Sequence, residues 1–266
     1  AGPDRIERPR MPEQPSPETV LASVPGWETA TCTELSGGLT NRSWLVEADA
    51  RRAVLKIDAA PRSAPYNSRV QEAQLQSTAA SHGLANSVLH VTDTVYMTEY
   101  LEGTVWNRAA LDDDANLVSL AQALRKMHSL PLTGRTFDAV SAARDYASRI
   151  HSAEADIVAD CIWVIESLPL PRNLCCCHND LVVGNVIAAP GIRFLDWEYA
   201  CDNDPFFDIA TVVAHHGMSE ERAWFLLDAY FDGDGARWRE HLGMQVKFYN
   251  ALLWLWLQSR PGAARR

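Results

Sequence analysis

The sequence predicts an α+β fold of two lobes, a small antiparallel-sheet N-lobe followed by a larger, mainly helical C-lobe. Three observations predict it. Segments that alternate apolar and polar residues are concentrated before residue 101, and a period of two marks strands with one buried face. Helical periodicity dominates afterwards, as in 116–129, where Leu117, Leu120, Ala121, Leu124 and Met127 share a face. Within the helical half sits one short strand–loop–strand passage crowded with polar groups, HNDLVVGNVIAAPGIRFLD (178–196).

The length of 266 residues suffices for one large domain or two lobes. A hydrophobic content of 47% supports a sizeable core. No apolar run is long enough to span a bilayer. Residues 1–26 carry charges and prolines instead of the apolar stretch of a signal peptide. They read as a flexible extension with Met11 as a candidate start, and the expected compartment is the cytoplasm. The net charge of −10, with no Lys/Arg cluster, argues against a nucleic-acid partner and suits a cationic substrate better than an anionic one. The six cysteines include no CxxC pair. They read as reduced thiols, with a Cys175/Cys177/His178 metal site as the alternative.

The N-lobe is expected over 27–101. Residues 29–57 alternate as a hairpin: TATCTEL, the SGGLTN connection, RSWLVEA, a turn at ADARR, and AVLKI. Gly37, Gly38 and Asn41 in that connection are candidates for phosphate contact through backbone N–H groups; the alternative is a plain glycine turn. Lys56 lies inside the apolar strand AVLKI, and the helical stretch 68–82 carries Glu72 sixteen residues on. A strand lysine is often a snorkelling edge residue. Paired with a helix glutamate, it matches the pair that steadies nucleotide phosphates in kinases. Residues 87–101 alternate again, broken by a turn at Thr92-Asp93 and ending in Glu99-Tyr100-Leu101.

The C-lobe is expected over 102–266, with helices at 116–129, within 139–168, at 219–231 and at 237–258. Cys175–Cys177 reads as a short strand entering the polar passage, and β-branched Val182, Val183, Val186 and Ile187 favour strands around Gly184. Gly191 then turns the chain and 192–195 runs into Asp196. Such a hairpin brings Asn185 and Asp196 to one end of a sheet. Phosphoryl transfer needs a carboxylate for the attacking hydroxyl and an amide oxygen with a second carboxylate for magnesium. Asp180 suits the first role, and Asn185 and Asp196 suit the metal roles.

These residues resemble the aminoglycoside phosphotransferase and choline kinase superfamily, with its H-x-D-x-x-x-x-N loop (His178, Asp180, Asn185) and later metal-binding Asp (Asp196). LDWEYACDNDPFFDIATV (195–212) is similar to bacterial choline/ethanolamine kinase and thiamine kinase relatives. The resemblance runs over roughly 30–260. It implies a protein-kinase-like fold binding ATP and Mg²⁺, and a linker at Glu99 and Leu101 offering backbone hydrogen bonds to adenine. For His178, as a catalytic-loop residue, it favours buttressing the loop; imidazole chemistry alone leaves proton transfer open.

Five acids, Asp196, Glu198, Asp202, Asp204 and Asp208, follow with no Lys or Arg between them. Asp202, Asp204 and Asp208 read as turn, helix-start or loop-supporting residues. Glu198 is the carboxylate candidate for a cationic substrate, with Trp197 and Tyr199 beside it. Strand alternation sends both aromatics to one side. Trp254 falls opposite the apolar face of 248–258 and is a candidate ligand wall, while Trp256 reads as core. Aromatic faces with a carboxylate hold quaternary ammonium groups. The expected activity is ATP-dependent phosphotransfer to the hydroxyl of a small cationic alcohol, choline or ethanolamine first, then thiamine, then an aminoglycoside. A non-catalytic pseudokinase sensor is the alternative from another class.

Overall fold

The computed structural model describes residues 15–35, 42–62, 66–150, 154–169, 171 and 173–260. Five antiparallel strands form the N-terminal sheet: β1 (Thr31–Leu35), β2 (Ser43–Ala48), β3 (Arg51–Ile57), β4 (Val88–Val91) and β5 (Val95–Glu99), in the order β1-β2-β3-β5-β4. Asp49 takes the left-handed conformation (φ 53°) that closes the tight β2–β3 hairpin. The register sets Lys56 opposite Ser43 on one side and Tyr96 on the other. Val46, Ala53, Leu55 and Met97 build an apolar face on this sheet.

That face is covered from the N-terminal side. Ser16 caps the short helix α1 (Pro17–Leu21), and Pro17 suits its first turn. Val20, Leu21, Val24 and Trp27 are buried against the sheet. Burying each such side chain is worth about 1.5–3 kcal/mol, enough to dock the segment. The expected flexible extension is therefore corrected over 15–26, where the apolar spacing makes it part of the sheet's core. Residues 1–14 lie outside the described residues.

Helix α2 (Arg69–Ser81) follows β3 and opens with a complete Ser68/Gln71 capping box. After β5 the chain crosses at 100–103 and enters a second sheet as β6 (Thr104–Val105), which pairs with β8 (Val186–Ala189), itself paired with β9 (Gly191–Phe194). Gly103 is needed at this crossing, because a Cβ there would lie 2.5 Å from the Ala188 carbonyl oxygen. Helices α3 (Asp114–His128), α4 (Ala139–Ala147), α5 (Ala155–Ser167), α6 (Pro205–His215), α7 (Glu220–Tyr230) and α8 (Arg239–Gln258) surround the main core. Strand β7 (Cys175–Cys177) pairs with β10 (Cys201–Asn203) beside that core. The stretch expected as one helical segment within 139–168 is two helices. Val182 and Val183 are not in a strand: Val183–Asn185 forms a 3-10 turn, and β8 begins only at Val186. Among the described residues no helix is long and apolar enough to cross a membrane.

Candidate active site

Strand β7 delivers the chain into the loop that carries Asp180. Asn179 sits in the left-handed region (φ 64°), which asparagine tolerates better than most residues. The loop is tied down from α6. The fully buried Asp208 carboxylate accepts from the backbone N–H of His178 (2.9 Å) and of Asn179 (2.7 Å), and it meets His128 Nε2 at 3.1 Å. The loop-supporting reading of Asp208 is the one its contacts fit.

His178 is fully buried. Its Nε2 lies 2.9 Å from the Leu195 carbonyl, so that nitrogen carries the proton, and its ring packs on Phe194 and Trp197. With no face open to a substrate, it braces the loop against the strand leading to Asp196. A reacting role for His178 is corrected on this ground.

Asn185 donates to the Asp180 carbonyl (2.9 Å) and to its carboxylate (3.1 Å). Both bonds use the amide nitrogen, leaving the amide oxygen as an acceptor. Leu195 N–H donates to the Asn185 carbonyl (2.8 Å), locking the turn to the end of β9. The next residue, Asp196, has φ 62° and ψ 71°, a conformation that concentrates at functional sites and costs roughly 1–3 kcal/mol. Its carboxylate meets Lys56 Nζ at 2.9 Å. Asp180, Asn185, Asp196 and Lys56 thus form one connected set from three separate segments.

Electrostatics separate the two aspartates. Burial raises the Asp180 carboxyl above the ordinary aspartate range, and Asp196 adds to this against the opposing pull of His178 and Asn185. Burial also works against ionised Asp196, but Lys56 outweighs it and holds the group below the usual range. For Lys56 burial pushes down, and Asp196 with Glu72 reverses the sign, so the ammonium is held charged. A raised carboxylate suits a proton acceptor, and a lowered one suits binding a cation.

Lys56, Asn185 and Asp196 line a cavity of about 340 Å³ between the two sheets, together with the apolar side chains of Val54, Leu101 and Ile187. Leu101 therefore faces this space. The Glu99 carbonyl already accepts from Asn86 Nδ2 (2.5 Å) and keeps one lone pair. Gly37, Gly38 and Asn41 lie outside the described residues.

Glu72 lines the same cavity as Lys56 and helps keep it charged, but it does not ion-pair with it directly. Its carboxylate accepts from Arg69 (2.9 Å) and lies 3.5 Å from Arg62, while the ion pair of Lys56 is with Asp196. Arg69 is fully buried and also holds Asp58 at 2.6 Å. Arg62 continues the network to Glu198 at 2.8 Å. These arginines were not legible from sequence, since an Arg at either position reads as a solvated charge until its acidic partners are known.

The aromatic assignments change most. Residues Trp197–Tyr199 form a 3-10 turn, not a strand, so alternation does not apply. Trp197 is fully buried and its indole N–H donates to the Phe194 carbonyl (3.0 Å), which removes it as a substrate contact. Glu198 is buried against Arg62, so it is not an open carboxylate for a substrate. Tyr199 is half-buried and packs on Tyr66 with ring centroids 4.9 Å apart. Trp254 and Trp256 are both half-buried and both pack against the C-lobe core, Trp256 with Arg260 over its ring. On α8, Tyr249 is buried; its hydroxyl meets His215 Nδ1 at 2.9 Å, and burial raises its phenol above the ordinary range, with the Asp180 charge adding to this. Asp202 accepts from the backbone of Thr133 and Gly134, and Asp204 caps α6 and meets His241. Three of the five clustered acids are thus structural.

The model of the phosphotransferase enzyme family matches residues 31–243. Protein LicA of Haemophilus influenzae is 31% identical over 73% of this chain, which spans 61% of that relative's length. Thiamine kinase of Salmonella typhimurium is 29% identical over 80% of this chain and 75% of its own. Among solved structures, choline kinase LicA from Streptococcus pneumoniae superposes with a TM-score of 0.72 at 21% identity, covering 86% of this chain and 85% of the other, and so shares the two-lobed fold. With the match extending from β1 through the loop carrying Asp180 into α8, this chain belongs to the phosphotransferase enzyme family.

Proposed function

We propose that this chain transfers the γ-phosphoryl group of ATP to the primary hydroxyl of a small cationic alcohol, choline or ethanolamine first. The observation that carries this reading is the convergence of Lys56, Asn185 and Asp196 on one cavity, with Asp180 hydrogen-bonded to Asn185. Adenine fits beside the apolar side chains of Val54, Leu101 and Ile187. Lys56 steadies the phosphates. The spare amide oxygen of Asn185 and the carboxylate of Asp196 are hard donors that fit Mg²⁺. When bound, that ion neutralises charge on the phosphate oxygens. Asp180 orients the acceptor hydroxyl and takes its proton. The mechanism needs no proton from His178, which holds the loop in register.

The acceptor side favours an aromatic-bound cation over a polyamine. Asp202, Asp204 and Asp208 are committed to backbone and histidine partners, and Glu198 to Arg62. The nearby groups that act electrostatically on Asp180 include His215 and Tyr249, which are hydrogen-bonded to each other, and neither is a carboxylate. Cation–π contacts are worth about 0.5–2 kcal/mol each. Thiamine, a cation with a primary hydroxyl, is the second reading, favoured by the relative named thiamine kinase. The test is an ADP-release assay with choline, ethanolamine, thiamine and kanamycin as acceptors. A saturable response to choline or ethanolamine alone is expected. A response to kanamycin alone would discard the aromatic argument, and silence with every acceptor would favour a non-catalytic sensor.

A further inference from the structure

Beneath the catalytic loop lies a second cluster of donor atoms that the phosphotransfer reading leaves unused. Cys175 and Cys177 are alternate residues of β7, so both side chains stand on one face, and their sulfurs are 3.5 Å apart. The last turn of α3 brings His128 to the same point, and a ring nitrogen and both sulfurs lie within 4.8 Å of one another. The contacts of the two thiols with the carbonyls of Asn203 and Asp204 are long, 3.6–3.8 Å.

The histidine is oriented as a ligand would be. Its Nε2 faces the buried Asp208 carboxylate at 3.1 Å, leaving Nδ1 for another partner, at present the Tyr230 hydroxyl at 2.7 Å. A carboxylate behind a metal-ligating histidine is the usual orienting device. Sequence spacing pointed to His178 as the nitrogen donor, but that ring turns to Leu195. The nitrogen comes instead from a helix about fifty residues earlier.

We propose that His128 Nδ1, Cys175 and Cys177 form a binding site for a soft divalent cation of the zinc class, with Tyr230 or water at the fourth position. Tetrahedral zinc with bonds of about 2.3 Å to sulfur and 2.0–2.1 Å to nitrogen separates its ligands by about 3.5–3.8 Å. The sulfurs already stand at that distance. A ring nitrogen of His128 stands within 4.8 Å of the sulfurs, and side-chain rotation closes what remains. The site differs in kind from the Asp180/Asn185/Asp196 set, whose hard oxygen donors suit magnesium. Because Asp208 holds both His128 and the backbone of the catalytic loop, the bound cation ties α3 to β7 directly under that loop.

The test uses the full chain, reduced and stripped with chelator, in excess Mg²⁺ so that oxygen sites are filled. Zn²⁺ is titrated against a chromophoric chelator, and Co²⁺ is added separately to read thiolate-to-cobalt charge transfer. One equivalent of Zn²⁺, a charge-transfer band and a raised melting temperature are expected. Cys175→Ser and His128→Gln should each weaken Zn²⁺ binding at least tenfold and lose the band. Cys175 is chosen because it is half-buried, whereas Cys177 is fully buried. Should a variant fail to fold, alkylation of Cys175 in the wild-type chain decides: Zn²⁺ slows it if the site exists. No stoichiometric uptake, equal affinity in the folded variants, or unprotected Cys175 would each overturn the proposal.

Discussion

Asp208→Asn tests whether one buried carboxylate holds the catalytic loop. The side chain accepts from two consecutive backbone N–H groups, at 2.9 and 2.7 Å, and contacts His128 at 3.1 Å, in a site with no solvent access. Asparagine preserves the shape but offers one oxygen. Its amide nitrogen must then face a backbone N–H or His128. The loss combines one charge-assisted hydrogen bond with one buried unsatisfied donor, together about 3–5 kcal/mol. At about 2–4 °C per kcal/mol for a chain of this size, melting should fall by roughly 6–20 °C. Turnover should fall by about ten- to a hundredfold, since a displacement near 1 Å in the loop carrying Asp180 costs up to about 10². Thermal melting and steady-state ADP release measure the two effects. A variant melting within about 2 °C of wild type with near-normal turnover would refute the reasoning.

Three further outcomes are expected. Asp180→Ala should lose about 10²–10⁴ in turnover while keeping nucleotide affinity; near-full activity removes Asp180 from the mechanism. Arg69→Ala leaves buried Asp58 and Glu72 with only the longer contacts to Arg62 in place of their shortest ion pairs, and the cost should be about 3–5 kcal/mol in denaturant unfolding; a loss below about 1 kcal/mol contradicts the network. Burial and the neighbouring Asp196 charge raise Glu198 from 4.5 to about 7. The folded chain then holds this proton more tightly than the unfolded chain, so the contribution is fully present below about 4.5 and is lost as pH rises through about 7. Glu198→Gln should therefore melt higher than wild type at pH about 8 and converge with it near pH about 5; a difference independent of pH contradicts the assignment.

The local chemistry of 178–196 was legible because its parts lie within one hairpin. Asp180, Asn185 and Asp196 meet through bonds between neighbours in sequence, and the strand Lys56 reaches Asp196 as a two-lobed fold requires. Features built from distant segments were not legible. Arg62 and Arg69 reveal their roles only beside Asp58, Glu72 and Glu198. Tyr249 and His215 meet from two different helices and both act electrostatically on Asp180, while the more conspicuous Trp254 packs on the core. Trp197 was misassigned because a left-handed Asp196 starts a 3-10 turn there and tips the indole inward. The N-terminal segment reads as flexible because its prolines and charges mask three apolar anchors, Val20, Leu21 and Val24, which pack beside Trp27.

Metal–nucleotide binding, measured separately from turnover, tests the central claim most directly. Mn²⁺ in place of Mg²⁺ allows electron paramagnetic resonance to follow ATP-dependent binding to wild type, Asp180→Ala and Asp196→Ala. The cation should bind with ATP to wild type and to Asp180→Ala, and binding to Asp196→Ala should weaken at least about tenfold, the usual scale for loss of a supporting ligand. Equal binding to all three would show that residues 180, 185 and 196 do not meet around a nucleotide-bound metal.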